Sequence, residues 1–189
     1  MRRFILACAG LLACCAVASG SSQATAAGTN VSDAQRQQQR RAAIEWLGNQ
    51  VYGYQRLTWR WERLMGVPRT PTEGRVLTEM SIPDVRSAVA FWRTRAARAH
   101  RKAVRPPHLA AWLCIHRLEG GWSSNTGNGY YGGLQMNLGF QRTYAPWLVE
   151  RKGTADRWTP LEQIWTAEKA ARSRGFYPWP NTARYCGLI

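Results

Sequence analysis

Acidic residues are the scarce class in this chain. Its 189 residues hold 11 Asp and Glu against 26 Lys and Arg, for a formal net charge of +15. Such a balance predicts affinity for a polyanion without saying which one. The stretch from Gly120 to Val149 contains no Asp or Glu and lies between Glu119 and Glu150. Internal repeats are absent, and Gln37-Gln38-Gln39 is too short to count as low complexity. No Ser-His-Asp arrangement, phosphate loop or metal-ligand cluster is evident, so neither a metal nor an organic cofactor is expected.

Long hydrophobic runs are also missing. The one apolar run, Phe4 to Ala18, is too short to span a bilayer comfortably. It follows Arg2-Arg3 and precedes the small-residue signature Ala24-Thr25-Ala26. Residues 1–26 therefore read as a secretory signal peptide that takes no part in the fold. Leu11-Leu12-Ala13-Cys14 loosely resembles a bacterial lipobox, although Leu12 is unusual there. A form lipid-anchored through Cys14 is the less favoured alternative. No stable membrane span is expected, and the exported product is expected to be a monomer.

Cysteine is sparse once the leader is removed. Cys8, Cys14 and Cys15 leave with it, and Cys114 and Cys186 remain. Two cysteines in an exported chain favour one disulfide. It would close most of the C-terminal half into a loop, worth about 4 kcal/mol in the chain-entropy model. Two cysteines alone make a poor zinc site, because structural zinc takes four ligands.

What is present is mostly helical pattern. Asp33 suits the N-cap of a long helix. Ile44, Leu47, Val51, Tyr54, Trp61 and Met65 recur at spacings of about three and four, with Thr58 filling the gap. Gly48 and Gly53 weaken the middle, where a kink or break is expected. Gly66-Val67-Pro68 ends it, and a Pro/Thr/Gly connector covers 69–81. Pro83 and Asp84 then suit the start of a second helix, with a stripe of Val85, Val89, Trp92 and Ala96.

Arg93, Arg95, Arg98, Arg101 and Lys102 make the second helix strongly basic, and Arg105-Pro106-Pro107 stops it. Basic helices track phosphates, but the export signal argues against nucleic acid as a partner. A solvated basic face is the simpler reading. Contact with anionic cell-surface polymers is the alternative.

The remainder, 108–189, reads as a separate domain of α+β class after a two-helix region at 27–107. His108 to Leu118 predicts a third helix, with Leu109, Trp112, Leu113 and Ile115 on its apolar side. Glu119 falls at its C-terminal end. Asn128-Gly129 is a hairpin-turn dipeptide, so a small β-lobe with Tyr130-Tyr131 as strand is expected. Gln135 lies between Leu134 and Met136 and would face the opposite way in a strand. Gly139 to Val149 reads as one helix. Thr159 and Pro160 begin another over Glu162 to Ser173, and Gly175 ends it. Pro178-Trp179-Pro180 predicts an extended turn before Cys186. His116, one turn from Glu119, reads as structural.

Glu119 can be given a chemical role. Cleaving a glycosidic bond requires a proton on the leaving oxygen, and a carboxylic acid supplies it. A conventional glycosidase needs a second carboxylate as nucleophile or base. The stretch after Glu119 offers amides instead: Asn125, Asn128, Gln135 and Asn137. Trp122, Tyr130 and Tyr131 can face a sugar or fill the small lobe's core, since aromatic faces suit both tasks. Thr126 can contact substrate or merely cap a turn.

Glu119-Gly120-Gly121-Trp122 followed by Asn125-Thr126-Gly127-Asn128-Gly129-Tyr130-Tyr131-Gly132-Gly133-Leu134-Gln135 resembles the catalytic segment of resuscitation-promoting factors. The continuation fits as well: Trp158-Thr159-Pro160-Leu161-Glu162-Gln163-Ile164, Ala167-Glu168, Trp179-Pro180 and a late cysteine. The likeness covers about Ala110 to Cys186. The family usually has a cysteine directly before its Glu and a serine directly after, where this chain has Leu118 and Gly120.

The resemblance implies a secreted, cell-wall-associated actinobacterial protein with a lysozyme-like, mostly helical domain. Its substrate would be peptidoglycan glycan strands, cut at the MurNAc-GlcNAc β-1,4 bond. Glu119 would be the single catalytic acid of a lytic transglycosylase. Trp122, Asn125, Thr126, Asn128, Tyr130, Tyr131 and Gln135 would bind the glycan. A hydrolytic muramidase and a non-catalytic wall-binding or signalling module are the alternatives.

Overall fold

The structure is a computed structural model that describes residues 32–72 and 74–189. The expected signal peptide and the alternative anchor at Cys14 lie outside these residues. Among the described residues no helix is long and apolar enough to cross a membrane. The architecture is mostly helical, with a single two-stranded antiparallel sheet among the described residues.

Helix α1 spans Asp33–Met65. Its N-cap is Ser32 rather than Asp33. The Ser32 side chain accepts from the Gln35 N–H, and the Gln35 side chain accepts from the Ser32 N–H, which completes a capping box. Asp33 instead occupies the first turn, 3.0 Å from Arg36. Gly66 ends the helix in the left-handed region at φ 64°. The expected break at Gly48 or Gly53 does not occur, and the helix is continuous for 33 residues. Gly48 is buried, and a Cβ there would stand 3.3 Å from Leu77. The cost of glycine, about 1 kcal/mol, is offset by the close approach of the connector.

Helix α2 spans Ile82–Ala103, capped by Ser81, with Pro83 in its first turn. It runs parallel to α1. Arg40 reaches the Met80 carbonyl at one end, Trp59 meets Trp92 further along, and Trp61 meets His100 near the other end. The connector therefore has to travel back along both helices. A 22-residue helix is about 33 Å long, within reach of the 16 residues from Gly66 to Ser81.

The connector is tied down as it returns. Thr70 donates through its N–H and hydroxyl to buried Glu62, accepts from Arg95 Nε at 2.9 Å, and accepts from Trp59 Nε1 through its carbonyl. This explains why the α1 seam is less apolar than its stripe suggested. Gln55, Thr58 and Glu62 are buried in it, while Tyr54 and Trp61 are only half-buried. A buried polar group is tolerated when it is hydrogen-bonded, and both Glu62 and Thr58 are.

The C-terminal part packs helices α3 (Leu109–Glu119), α4 (Leu138–Tyr144), α5 (Pro146–Lys152), α6 (Pro160–Arg174) and α7 (Pro180–Tyr185) around one core. Trp112, Ile115, Leu134, Met136, Leu148, Trp158 and Trp179 fill it. The single helix expected over Gly139 to Val149 is broken at Ala145. Pro146 biases its predecessor out of helical geometry, and Ala145 sits at φ −150°, ψ 52°. The Pro178-Trp179-Pro180 run also differs from expectation. Pro180 occupies the first turn of a short helix rather than closing an extended turn. Helix α6 starts as expected, with a Thr159–Glu162 capping box, and ends at Gly175.

The parallel pair α1–α2 docks on α6 through its C-terminal ends. Leu64, Met65, Ala99, Ala103 and Trp165 form this second core. Trp165 Nε1 donates to the Ala103 carbonyl at 2.7 Å, and Arg172 donates to the Met65 and Gly66 carbonyls.

Lys169 lies in the same seam, donating to the Tyr144 carbonyl at 2.9 Å. Burial lowers its ammonium to about 8, and Arg172 adds in the same direction. Unfolded chain holds this proton up to its ordinary 10.5, and folded chain only to about 8. Between those values folding releases a proton, so the Lys169 contribution to stability rises with pH. Relative to Lys169→Met, the unmodified protein should gain about 2 kcal/mol of unfolding free energy between pH 7 and pH 10. Urea titrations at both pH values check this, and parallel pH slopes would contradict it.

Candidate active site

Helix α3 is short and largely apolar, with Trp112 and Ile115 fully buried against the core. Burying these two aromatic and branched side chains contributes about 2–3 kcal/mol each. It also fixes the helix end, where Glu119 is the last residue. Glu119 is half-buried. Its Oε1 accepts from Thr182 Oγ1 at 2.8 Å. Thr182 lies on α7, which is bonded to α3 by the Cys114–Cys186 disulfide, across a Cα–Cα distance of 6.1 Å.

The loop after Glu119 carries the other predicted residues. Strand β1 (Tyr130–Tyr131) pairs antiparallel with β2 (Met136–Asn137), with Tyr130 opposite Asn137 and Tyr131 opposite Met136. Asn125 bridges to Tyr131, so the chain doubles back between them. Gly129 turns there at φ 83°, and Asn128 Oδ1 accepts from the Tyr130 N–H.

Asn125, Thr126, Asn128 and Tyr130 are exposed on this loop, with Tyr130 at 46%. Tyr131 and Trp122 are half-buried and pack against the main core. Trp122 stacks on His116 with ring centroids 3.8 Å apart, which covers one of its faces. His116 thus has the structural place expected of it.

Gln135 is not in a strand. It ends the turn between β1 and β2 at φ 45°, and its Nε2 donates to the Gly132 carbonyl at 2.9 Å. The strand alternation used to orient it does not apply, because a turn residue has no period of two. The same Nε2 lies 3.7 Å from where a Cβ on Gly120 would stand. Gln135 is therefore brought back beside the residue that follows Glu119.

The sequence reading missed the loop's anchor, Gln163 of α6. Its fully buried amide donates to the carbonyls of Trp122, Ala155 and Trp158 and accepts from the Gly133 N–H. The sequence signals for it are a polar residue directly before Ile164 and Trp165 and its place in the Trp158–Ile164 run. Thr182 was missed too, although it lies one helical turn before Cys186.

Gly133 explains part of the glycine-rich run. A Cβ there would stand 2.5 Å from His116 Nδ1 and 2.7 Å from Trp122 Cε3. Neither ring can yield, since each is stacked on the other. Gly133→Ala should therefore cost about 2–3 kcal/mol, measurable as a fall in the urea midpoint. A change below about 0.5 kcal/mol would contradict this packing.

Other carboxyls are placed differently. Glu168 is buried and accepts from the His108 N–H, His108 Nδ1 and Trp112 Nε1. Burial pushes Glu162 up, but the Lys152 ammonium at 2.7 Å and the Thr159 N–H and hydroxyl hold its carboxyl below the ordinary 4.5. Glu150 is exposed on α5, and Asp156 has its Oδ1 buried in the turn before α6. Among the described residues no group of three or more His, Cys, Asp or Glu is placed to hold a metal ion. A cavity of about 690 Å³ lies between α1, the connector and α2, and contains none of the predicted site residues.

Residues 110–182, which hold almost all of α3, the two-stranded sheet and most of the helices around it, match the family model described as transglycosylase-like domain. Resuscitation-promoting factor RpfE of Mycobacterium tuberculosis is 41% identical over 75 residues, which is 39% of this chain and 41% of the relative. Resuscitation-promoting factor Rpf1 of Corynebacterium glutamicum is 37% identical over 105 residues, 54% of this chain and 52% of the relative. Over these segments the chain is similar to resuscitation-promoting factors. The chain spans about half the length of these curated relatives. The matched segment includes both Glu119 and Thr182.

Proposed function

We propose that residues 108–189 are a catalytic module that cleaves the MurNAc-GlcNAc β-1,4 bond of peptidoglycan as a lytic transglycosylase. The observation that carries this is a lone carboxyl at the end of α3, hydrogen-bonded on one oxygen and bordered by an acid-free loop of amides and aromatics. Glu119 gives its proton to the glycosidic oxygen, and the C1–O4 bond breaks with its electron pair passing to O4. The cationic centre at C1 is stabilised by the sugar's own N-acetyl group. The 6-hydroxyl then attacks C1, and the Glu119 carboxylate takes its proton. A 1,6-anhydro end forms, and Glu119 is protonated again.

A two-carboxylate route would require a second free acid. Glu162 and Glu168 are already engaged by Lys152 and Thr159, and by His108 and Trp112, which leaves Glu150, exposed on α5, and Asp156, in the turn before α6, as the acids such a route would have to use. Exposed Asn125, Thr126, Asn128 and Tyr130, together with Gln135, are the side chains proposed to hold the glycan, and Trp122 and Tyr131 to shape its floor. The module is proposed to work outside the cell at the wall, where basic α2 meets anionic polymers. Incubating purified protein with insoluble peptidoglycan tests the reading. Release of soluble muropeptides is expected. Binding without release would favour a wall-binding module instead.

A further inference from the structure

We propose that Thr182 is a positioning residue for Glu119, held in place by the Cys114–Cys186 bridge. The inference rests on Glu119 being the acid. Glu119 closes a helix, where the side chain has no following turn to confine it. The Thr182 hydroxyl is what confines it, at 2.8 Å from Oε1. The same hydroxyl has a second acceptor, the Trp179 carbonyl, at 3.4 Å. The shorter contact is the stronger, so the hydrogen points at the carboxyl. With Oε1 taken up as an acceptor, Oε2 is left to carry the proton that the substrate receives. Thr182 thereby selects which oxygen is the acid and which way it faces.

The placement of Thr182 is built from outside its own helix. Helix α7 has six residues, too few to be stable alone. Two contacts fix it. Trp179, immediately before it, is buried and donates from Nε1 to the Leu134 carbonyl at 2.6 Å. Cys186, immediately after it, is bonded to Cys114. Thr182 lies one turn before Cys186, and Glu119 lies five residues beyond Cys114 on α3. The bridge and the hydrogen bond are two adjacent links between the same two helices.

The test is the rate of peptidoglycan solubilisation over a range of substrate concentrations, using Thr182→Val, Thr182→Ala, Thr182→Ser and Glu119→Gln. Val and Ala should each lower kcat by about 10- to 100-fold, with KM within about twofold. Ser, which keeps the hydroxyl, should return kcat to within about threefold of the unmodified protein. A merely structural Thr182 would predict the same loss for Ser as for Val, or a change in KM, and either result overturns the proposal. Wild-type kcat in the Val and Ala variants, beside an inactive Glu119→Gln, would also overturn it while leaving the acid assignment standing. An active Glu119→Gln would remove the acid assignment and this proposal together.

Discussion

Replacing Glu119 by glutamine should reduce glycan cleavage by about a thousandfold, within the range that general acid catalysis contributes. Glutamine has nearly the same shape, and its amide oxygen can still accept from Thr182, so the fold and the loop should be unaffected. It has no proton to give and cannot accept one from an attacking hydroxyl. No Asp or Glu between residues 120 and 149 can take over. Turbidity loss of a peptidoglycan suspension, followed beside thermal unfolding of the same variant, checks this. A folded Glu119→Gln protein that still clears the suspension would place the chemistry elsewhere.

The second large effect concerns stability. The Cys114–Cys186 bridge closes a loop over a sequence separation of 72. In the chain-entropy model this stabilises by about 4 kcal/mol. The Cys114→Ser, Cys186→Ser double variant should lose about that much in urea unfolding. Activity should fall further than stability alone explains, because α7 carries Thr182. A loss below about 1 kcal/mol would mean that Trp179 and Ala183, both buried, hold α7 without help from the bridge.

Much of this arrangement was legible in the sequence, for identifiable reasons. Helix ends follow local chemistry, so Gly66, the Thr159–Pro160 start and Gly175 were readable from a few residues each. Cys114 and Cys186 had only each other to pair with once the leader was set aside. Glu119 stood out because its surroundings are so poor in acid.

The unread parts depend on tertiary contacts. Ser32 displaced Asp33 as cap because Gln35 completes the box, and both residues are acceptable caps locally. Gly48 did not break α1 because Leu77, 29 positions later, packs on it. Gln163 is polar and buried, which no periodicity argument singles out, because its partners include the Trp122 carbonyl and the Gly133 N–H of the distant loop. Gln135 was placed on a strand because its neighbours alternate, but Gly132 and Gly133 draw the chain into a turn there instead. Thr182 could be connected to Glu119 only through the helix pair that the disulfide joins.

The central claim is that one carboxyl cleaves the bond without an attacking water. Digestion of peptidoglycan in ¹⁸O-labelled water tests it most directly. The account predicts released fragments with 1,6-anhydro ends, lighter by one water than reducing sugars and free of the label. Fragments with a reducing end carrying one ¹⁸O would contradict it and establish hydrolysis.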